Sequence, residues 1–297
     1  MRTGELARRV ELACLLEAAA RKPGNVHPWA AFDDLGFEDF VRAAEAVAPF
    51  LAGTCKLGLG MAILLAVRAT RRSVATNANL GIVLLLAPLC AVPEGVRAED
   101  GIGDVLGATT IEDASYVYAA IRQANPGGLG TAGEQDVADV PTCTLTEAMR
   151  LAADRDLVAR QYAQNFEDAF WLAARLDVAS LSNAGRTSTW DSTIIEGFLQ
   201  MLVRRPDTLI ARKCGTEVAG EASRRAEFVL TRGRSGQLTE SPAYADFDAW
   251  LRGDGHRRNP GATADLMAAA LFLVLCEIES AALPPIGQIL GWAGVSR

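Results

Sequence analysis

At 297 residues, 50% of them hydrophobic, the chain can bury one large core or two smaller ones, which excludes disorder as its main state. A formal net charge of −7 and a pI near 5.1 exclude a surface built to hold polyanionic DNA or RNA, and favour a small anionic ligand met in a local basic pocket.

Residues 1–9 mix Glu5 with Arg2, Arg8 and Arg9 and lack the apolar stretch of a signal peptide. Leu6, Val10, Ala13 and Glu17 recur at helical spacing, while Arg8, Arg9 and Glu11 fall elsewhere around the helix, so residues 4–20 read as an amphipathic first helix. Further helices are predicted over 37–52, 57–72, 78–92, 110–124, 145–178, 187–204, 216–232, 243–252 and 263–282. Thr110 with Asp113, and Thr144 with Glu147, have capping-box spacing, and Pro206-Asp207 punctuates a helix end. The apolar runs 80–92 and 266–276 fall short of the roughly 20 residues a membrane span needs, and are read as buried helices. No run alternates apolar and polar residues for long. The expectation is an all-α chain, folded as a single multi-helix globular domain over 1–297 with buried apolar helices.

Six cysteines, with no CxxC pair and none at metal-ligand spacing from His27 or His256, read as reduced thiols that mostly fill the core, which favours a cytoplasmic protein. Gly- and Pro-rich stretches at 22–28, 101–107, 125–133, 182–187, 233–236 and 253–261 are expected to be loops, where functional groups concentrate.

The strongest local feature is Glu17 followed by Arg21-Lys22-Pro23-Gly24-Asn25-Val26-His27-Pro28. An acid on an inward helical stripe is costly unless paired or bound to a metal, and a cationic turn follows within two helical turns. A salt bridge that anchors the loop is the plainer alternative. The chain carries three lysines, Lys22, Lys56 and Lys213, against twenty-six arginines. A retained lysine hints at a need for a compact ammonium, and Lys22 and Lys213 both lie close to glycines, where backbone N–H groups can also approach phosphate. Thr76-Asn77-Ala78-Asn79-Leu80-Gly81 precedes an apolar helix and is either a cap or a place where Asn77 and Asn79 meet an anion or a ribose hydroxyl. Arg212-Lys213-Cys214-Gly215 is either a second phosphate-contacting turn or a charged connection. In Asn259-Pro260-Gly261-Ala262-Thr263-Ala264-Asp265 the residues are ordinary helix openers, although Thr263 and Asp265 could also hold a sugar hydroxyl and Mg²⁺. P-loop, GxSxG and strand-GxGxxG motifs are absent from the sequence.

At these residues the chain resembles the triphosphoribosyl-dephospho-coenzyme A synthase family. The resemblance rests on Glu17 with Lys22-Pro23-Gly24, on Asp34 to Phe40, on Thr76 to Gly81, on Asp207-Thr208 through Lys213-Cys214-Gly215, and on Pro260 to Leu266. With Asn79-Leu80 where a basic residue is usual, Leu209 in place of an Asn, Cys214 in place of a glycine and Pro260 for the first glycine of the last motif, it looks like a divergent branch, similar to archaeal-type members. The resemblance implies an all-helical fold, Mg²⁺, ATP as triphosphoribosyl donor, release of adenine, and attack by a hydroxyl of dephospho-coenzyme A on the ribose anomeric carbon. It implies Glu17 as the catalytic carboxylate, Asp34 and Asp265 as Mg²⁺ ligands, and Lys22, Gly24, Asn25, Asn77, Asn79, Arg212, Lys213, Gly261 and Thr263 as substrate or phosphate contacts. A different donor such as phosphoribosyl pyrophosphate, phosphoribosyl transfer in the biosynthesis of a tetrahydromethanopterin-type cofactor, a helical Mg²⁺-dependent nucleotide hydrolase and a non-catalytic nucleotide binder stay open at this point. The expected partners are a nucleotide donor and a hydroxyl acceptor, with no nucleic acid and no membrane; oligomeric state is left open.

Overall fold

The structure is a computed structural model that describes residues 3–76, 78–127, 130–184 and 189–295. These residues form helices α1 Thr3–Ala19, α2 Phe37–Ala52, α3 Thr54–Leu57, α4 Leu59–Ser73, α5 Leu80–Ala91, α6 Ala98–Gly107, α7 Ile111–Ala124, α8 Leu145–Ala152, α9 Leu157–Ala163 and α10 Glu167–Ala173. The series continues with α11 Val178–Ser182, α12 Thr189–Arg204, α13 Thr208–Cys214, α14 Thr216–Arg232, α15 Pro242–Arg252, α16 Gly261–Glu277 and α17 Ile286–Trp292. Among the described residues there is no strand beyond an isolated bridge between His27 and Ala30, so the all-α expectation holds. No helix among them is long and apolar enough to cross a membrane.

The chain divides into two compact units, Met1–Cys14 with Glu38–Phe170 and Leu15–Phe37 with Trp171–Arg297. Two of the boundaries fall inside α1 and α10, where composition does not change, which is why the sequence by itself suggests one domain.

In the first unit α4 packs closely on α7. A Cβ at Gly60 would lie 2.6 Å from the Asp113 backbone, and the Gly60 N–H donates to Asp113 Oδ1 at 2.8 Å, so only glycine admits this approach. Asp113 also completes the capping box with Thr110, and Thr144 with Glu147 forms the second one, both as their spacing predicts. Helix α5 is buried along nearly its whole length, and the Tyr162 hydroxyl donates to the Leu84 carbonyl at 2.6 Å.

In the second unit α12 packs against α14 and α16. Gly197 lets Leu172, Leu176 and Met267 approach within 3.2–3.4 Å of where a Cβ would be, and α16 is apolar on nearly all sides.

Several expectations need correction. The predicted loop at 101–107 is part of α6, because Gly101 serves packing and not a turn: a Cβ there would sit 2.8 Å from Val92 and 2.9 Å from Val96. The single helix expected over 145–178 is broken into α8, α9 and α10. Asp156 caps α9 through the N–H groups of Val158 and Ala159, and Asn165 and Phe166 take φ of 48° and 62°, which no helix continues. Helix α1 is amphipathic only in its first half, since Leu12 through Ala20 are all buried. All six cysteines are free, but Cys55 is exposed and only Cys14 and Cys90 are buried.

Candidate functional site

In the second unit the candidate residues are built around the loop that follows α1. Glu17 and Lys22, both buried, form an ion pair with Lys22 Nζ 2.9 Å from Glu17 Oε1. The ammonium also donates to the Glu17 carbonyl, and to the Ala20 carbonyl at 3.4 Å. Burial pushes the Lys22 pKa down and Glu17 opposes it. A lysine has three donors, and these contacts use all of them within the loop. As folded, Lys22 is therefore the partner of Glu17, and a phosphate contact would require this arrangement to open.

Gly24 is required twice. Its φ of 75° favours glycine, and a Cβ would fall 2.8 Å from Leu251 and 3.1 Å from Pro260. Its N–H donates to Asp248 Oδ1 at 2.7 Å. Asp248 also accepts from Arg252 Nε, and Arg252 Nη2 donates to the Asn25 carbonyl at 2.7 Å. Asn25 Nδ2 donates to Asn259 Oδ1 at 2.6 Å. The loop is thus tied to α15 and to the approach to α16. Arg21 on the same loop pairs with fully buried Asp191 at 2.6 Å, and its carbonyl accepts from the Tyr244 hydroxyl.

The electrostatic result is visible at His27, whose pKa is lowered to about 4, first by burial and then by Arg252, Lys22 and Arg21, against Asp248. Each of these cations is itself paired with a carboxylate, Lys22 with Glu17, Arg21 with Asp191 and Arg252 with Asp248.

The third part joins α13 to α16. Asp207, fully buried, accepts from the N–H groups of Leu209 and Ile210 at 2.8 and 3.0 Å, and from the N–H and hydroxyl of Thr263, both at 2.8 Å. It caps α13 and holds the first turn of α16 with one carboxylate. Gly261 lies where a Cβ would be 2.7 Å from Leu209. Arg212 and Lys213 sit in the last turn of α13, not in an open turn, and Gly215 at φ 96° separates α13 from α14. Lys213 is about half buried, and its pKa is lowered by burial and then by Arg212, with Asp207 and Asp34 among the opposing groups, so exposed Asp34 is electrostatically felt at this lysine. Arg257 donates to the Lys213 carbonyl at 2.6 Å.

Of the residues singled out in the sequence, Gly24 and Asn25 therefore meet the 259–260 segment, Gly261 and Thr263 meet α13, Asp34 acts on Lys213, and Glu17 meets Lys22. Asp265 lies half-buried in the second turn of α16. Asn79 belongs to the first unit, where Thr70 donates to its Oδ1 at 3.0 Å and its Nδ2 is buried without a partner. Asn77 lies outside the described residues.

Sequence reasoning gave no site role to Asp207 or Asn259, which it named only within motifs, and passed over Asp248 and Arg252. Asp207 carried a cap signal after Pro206, and Asp248 with Arg252 has helical ion-pair spacing, but nothing in the sequence marks their distant partners. Among the described residues no group of three or more His, Cys, Asp or Glu is arranged to hold a metal ion. Mg²⁺ commonly takes only one or two carboxylates together with substrate phosphates, so it does not require such a protein cage.

Residues 3–282 match the sequence profile of the CitG family, described as ATP:dephospho-CoA triphosphoribosyl transferase. The fold is similar to the crystal structure of a candidate triphosphoribosyl-dephospho-CoA synthase from Archaeoglobus fulgidus, with a TM-score of 0.61 and 26% identity, over 79% of this chain and 97% of that one. No curated protein matches the chain.

Proposed function

The chain belongs to the ATP:dephospho-CoA triphosphoribosyl transferase family, and on that premise we propose that loop 20–28 with segments 207–215 and 259–265 forms its donor site. In the family reaction the bond between the ribose anomeric carbon and adenine breaks, adenine leaves, and the acceptor hydroxyl oxygen bonds to that carbon as it gives up its proton. The enzyme must hold a triphosphate, aim a hydroxyl and offset positive charge on the sugar.

One observation supports the placement above the others: Gly24, Asn25 and Arg252 tie loop 20–28 to α15 and to Asn259, so motifs 224 to 234 residues apart in the sequence meet in one place. Lys213, half-buried in the last turn of α13, is the proposed phosphate contact, with Arg212 beside it. Glu17 is the proposed catalytic carboxylate, orienting the acceptor hydroxyl or facing the sugar cation, with Lys22 neutralising its charge until substrate arrives. Asp34 and Asp265 are the proposed Mg²⁺ ligands; a bound Mg²⁺ would neutralise triphosphate charge. Nucleotide substrates of this kind support a cytoplasmic location.

The test is to incubate the protein with ATP, Mg²⁺ and dephospho-CoA, following adenine by chromatography and the acceptor by mass spectrometry. Adenine is expected only when acceptor is present, with a matching triphosphoribosyl gain on the acceptor. Phosphate or pyrophosphate release without acceptor would make the chain a hydrolase and overturn the proposal.

A further inference from the structure

Trp29 is the most exposed tryptophan singled out by its surroundings, with 57% of its surface open, on the same loop as Lys22 and His27. Single exposed apolar residues need no explanation in general. This one is held in place. The His27 N–H donates to the Ala30 carbonyl at 3.0 Å and the Ala30 N–H to the His27 carbonyl at 2.9 Å, closing a tight turn around it, and the Trp29 N–H donates to His27 Nδ1 at 3.3 Å. Its ring meets Trp292 edge-on, centroids 4.7 Å apart and planes at 84°, and Trp292 in turn meets fully buried Trp190 at 4.7 Å and 73°. Trp292 lies in α17, beyond residue 282 where the family match ends.

Both rings recorded against Trp29 are tilted or edge-on: Trp292 at 84°, and His27 at 52° with centroids 6.1 Å apart. A tight turn and the Trp292 ring hold the indole while 57% of its surface stays open, so little side-chain entropy is lost when a planar ligand stacks there. Arg21 on the same loop, 38% exposed while paired with Asp191, and Arg252 of α15, which donates to the Asn25 carbonyl, supply positive charge for the other half of nucleotide recognition. A braced, exposed indole near two partly exposed arginines matches the two elements that a nucleotide presents, a flat base and phosphates.

We infer that Trp29, braced by Trp292, is a stacking platform for an adenine ring. The inference rests on the proposed donor site at loop 20–28. Both substrates of the family reaction, ATP and dephospho-CoA, carry adenine, and the ligand that loses affinity on mutation identifies which of them stacks.

The experiment is isothermal titration of the full chain, wild type, Trp29→Ala and Trp29→Phe, with ATP, with dephospho-CoA and with inorganic tripolyphosphate. Base–aromatic stacking predicts a loss of roughly tenfold or more in affinity for one adenine ligand in Trp29→Ala, substantial recovery in Trp29→Phe, and unchanged tripolyphosphate binding. Melting temperature should hardly move, since the ring is mostly exposed. Wild-type affinity of Trp29→Ala for both adenine ligands, or an equal loss for tripolyphosphate, would overturn the platform. The donor-site reading fails separately, if wild-type protein with both substrates releases no adenine, an outcome that does not involve Trp29.

Discussion

Replacing Glu17 by glutamine leaves the Lys22 ammonium facing a neutral amide in a place with no access to water, and removing one partner of a buried pair typically costs about 3–5 kcal/mol. Glu17→Gln should therefore lower the denaturation midpoint as well as turnover, and activity alone cannot separate support from chemistry. The double variant Glu17→Gln/Lys22→Met removes both charges and should recover much of the stability. If Glu17 acts on substrate the double variant folds and stays inactive; full turnover in it would confine the pair to holding the loop. His27 gives a second reading at this scale. Its folded pKa of about 4 lies below the unfolded value of about 6.5, so the unfolded chain takes up the proton first as pH falls. Its neutral form is fully accommodated above about pH 6.5, and stability is lost between about pH 6.5 and 4, by up to about 3 kcal/mol. Urea unfolding of His27→Gln across that window should show a flatter pH dependence; an unaltered slope would show that another group titrates there. The burial of Glu17 was legible, because an acid interrupted an apolar stripe. That Lys22 would be spent entirely on it was not, since a lysine beside glycine reads equally well as a phosphate contact.

Helix ends were most legible where their signals are local. The bounds of α2 and α14 fall where the pattern puts them, and the capping boxes of α7 and α8 both form, because the groups that define them lie within four residues of each other. Three short helices in 145–173 escaped because apolar periodicity runs through the breaks, and α13 because a seven-residue helix carries too few periods to register. What holds the candidate site together is not local at all. Gly24 bonds to a residue 224 positions away, Asn25 to one 234 away, and Thr263 to Asp207 across 56. These pairings depend on how helices pack, which one sequence does not encode by pattern. The Asp207 tie predicts a measurable cost. Asp207→Ala removes the cap of α13 and strands the buried Thr263 N–H and hydroxyl, a loss of about 3 kcal/mol from cap and unsatisfied donors together. Asp207→Asn, which retains one acceptor oxygen, should cost less. Equal midpoints for wild type and Asp207→Ala in chemical denaturation would mean that α13 and α16 are held by their apolar contacts alone.

Across the whole molecule, 36 acidic against 29 basic side chains set a net charge of −7, which by itself repels a polyphosphate. Charges farther apart than about 10 Å are largely screened at 0.1 M salt, so a donor arriving at the site responds chiefly to the groups around it. Chief among those groups is the half-buried Lys213 at the end of α13, with Arg212 beside it. A long polyanion has no such choice, because most of its phosphates would face the acidic remainder. ATP binding should consequently survive physiological salt, whereas a labelled single-stranded 20-mer should not be retained under the same conditions. Lys213→Ala should weaken ATP and tripolyphosphate by roughly ten- to a hundredfold, the value of a partly desolvated charge-assisted contact, and leave an acceptor fragment without phosphates unaffected. Oligonucleotide binding as tight as that of ATP, with both indifferent to Lys213→Ala, would place the cationic groups on an open surface and take the donor site away from α13. Selective loss of the triphosphate ligands would tie the local field to the chemistry of the family, in a protein whose overall charge opposes its own substrate.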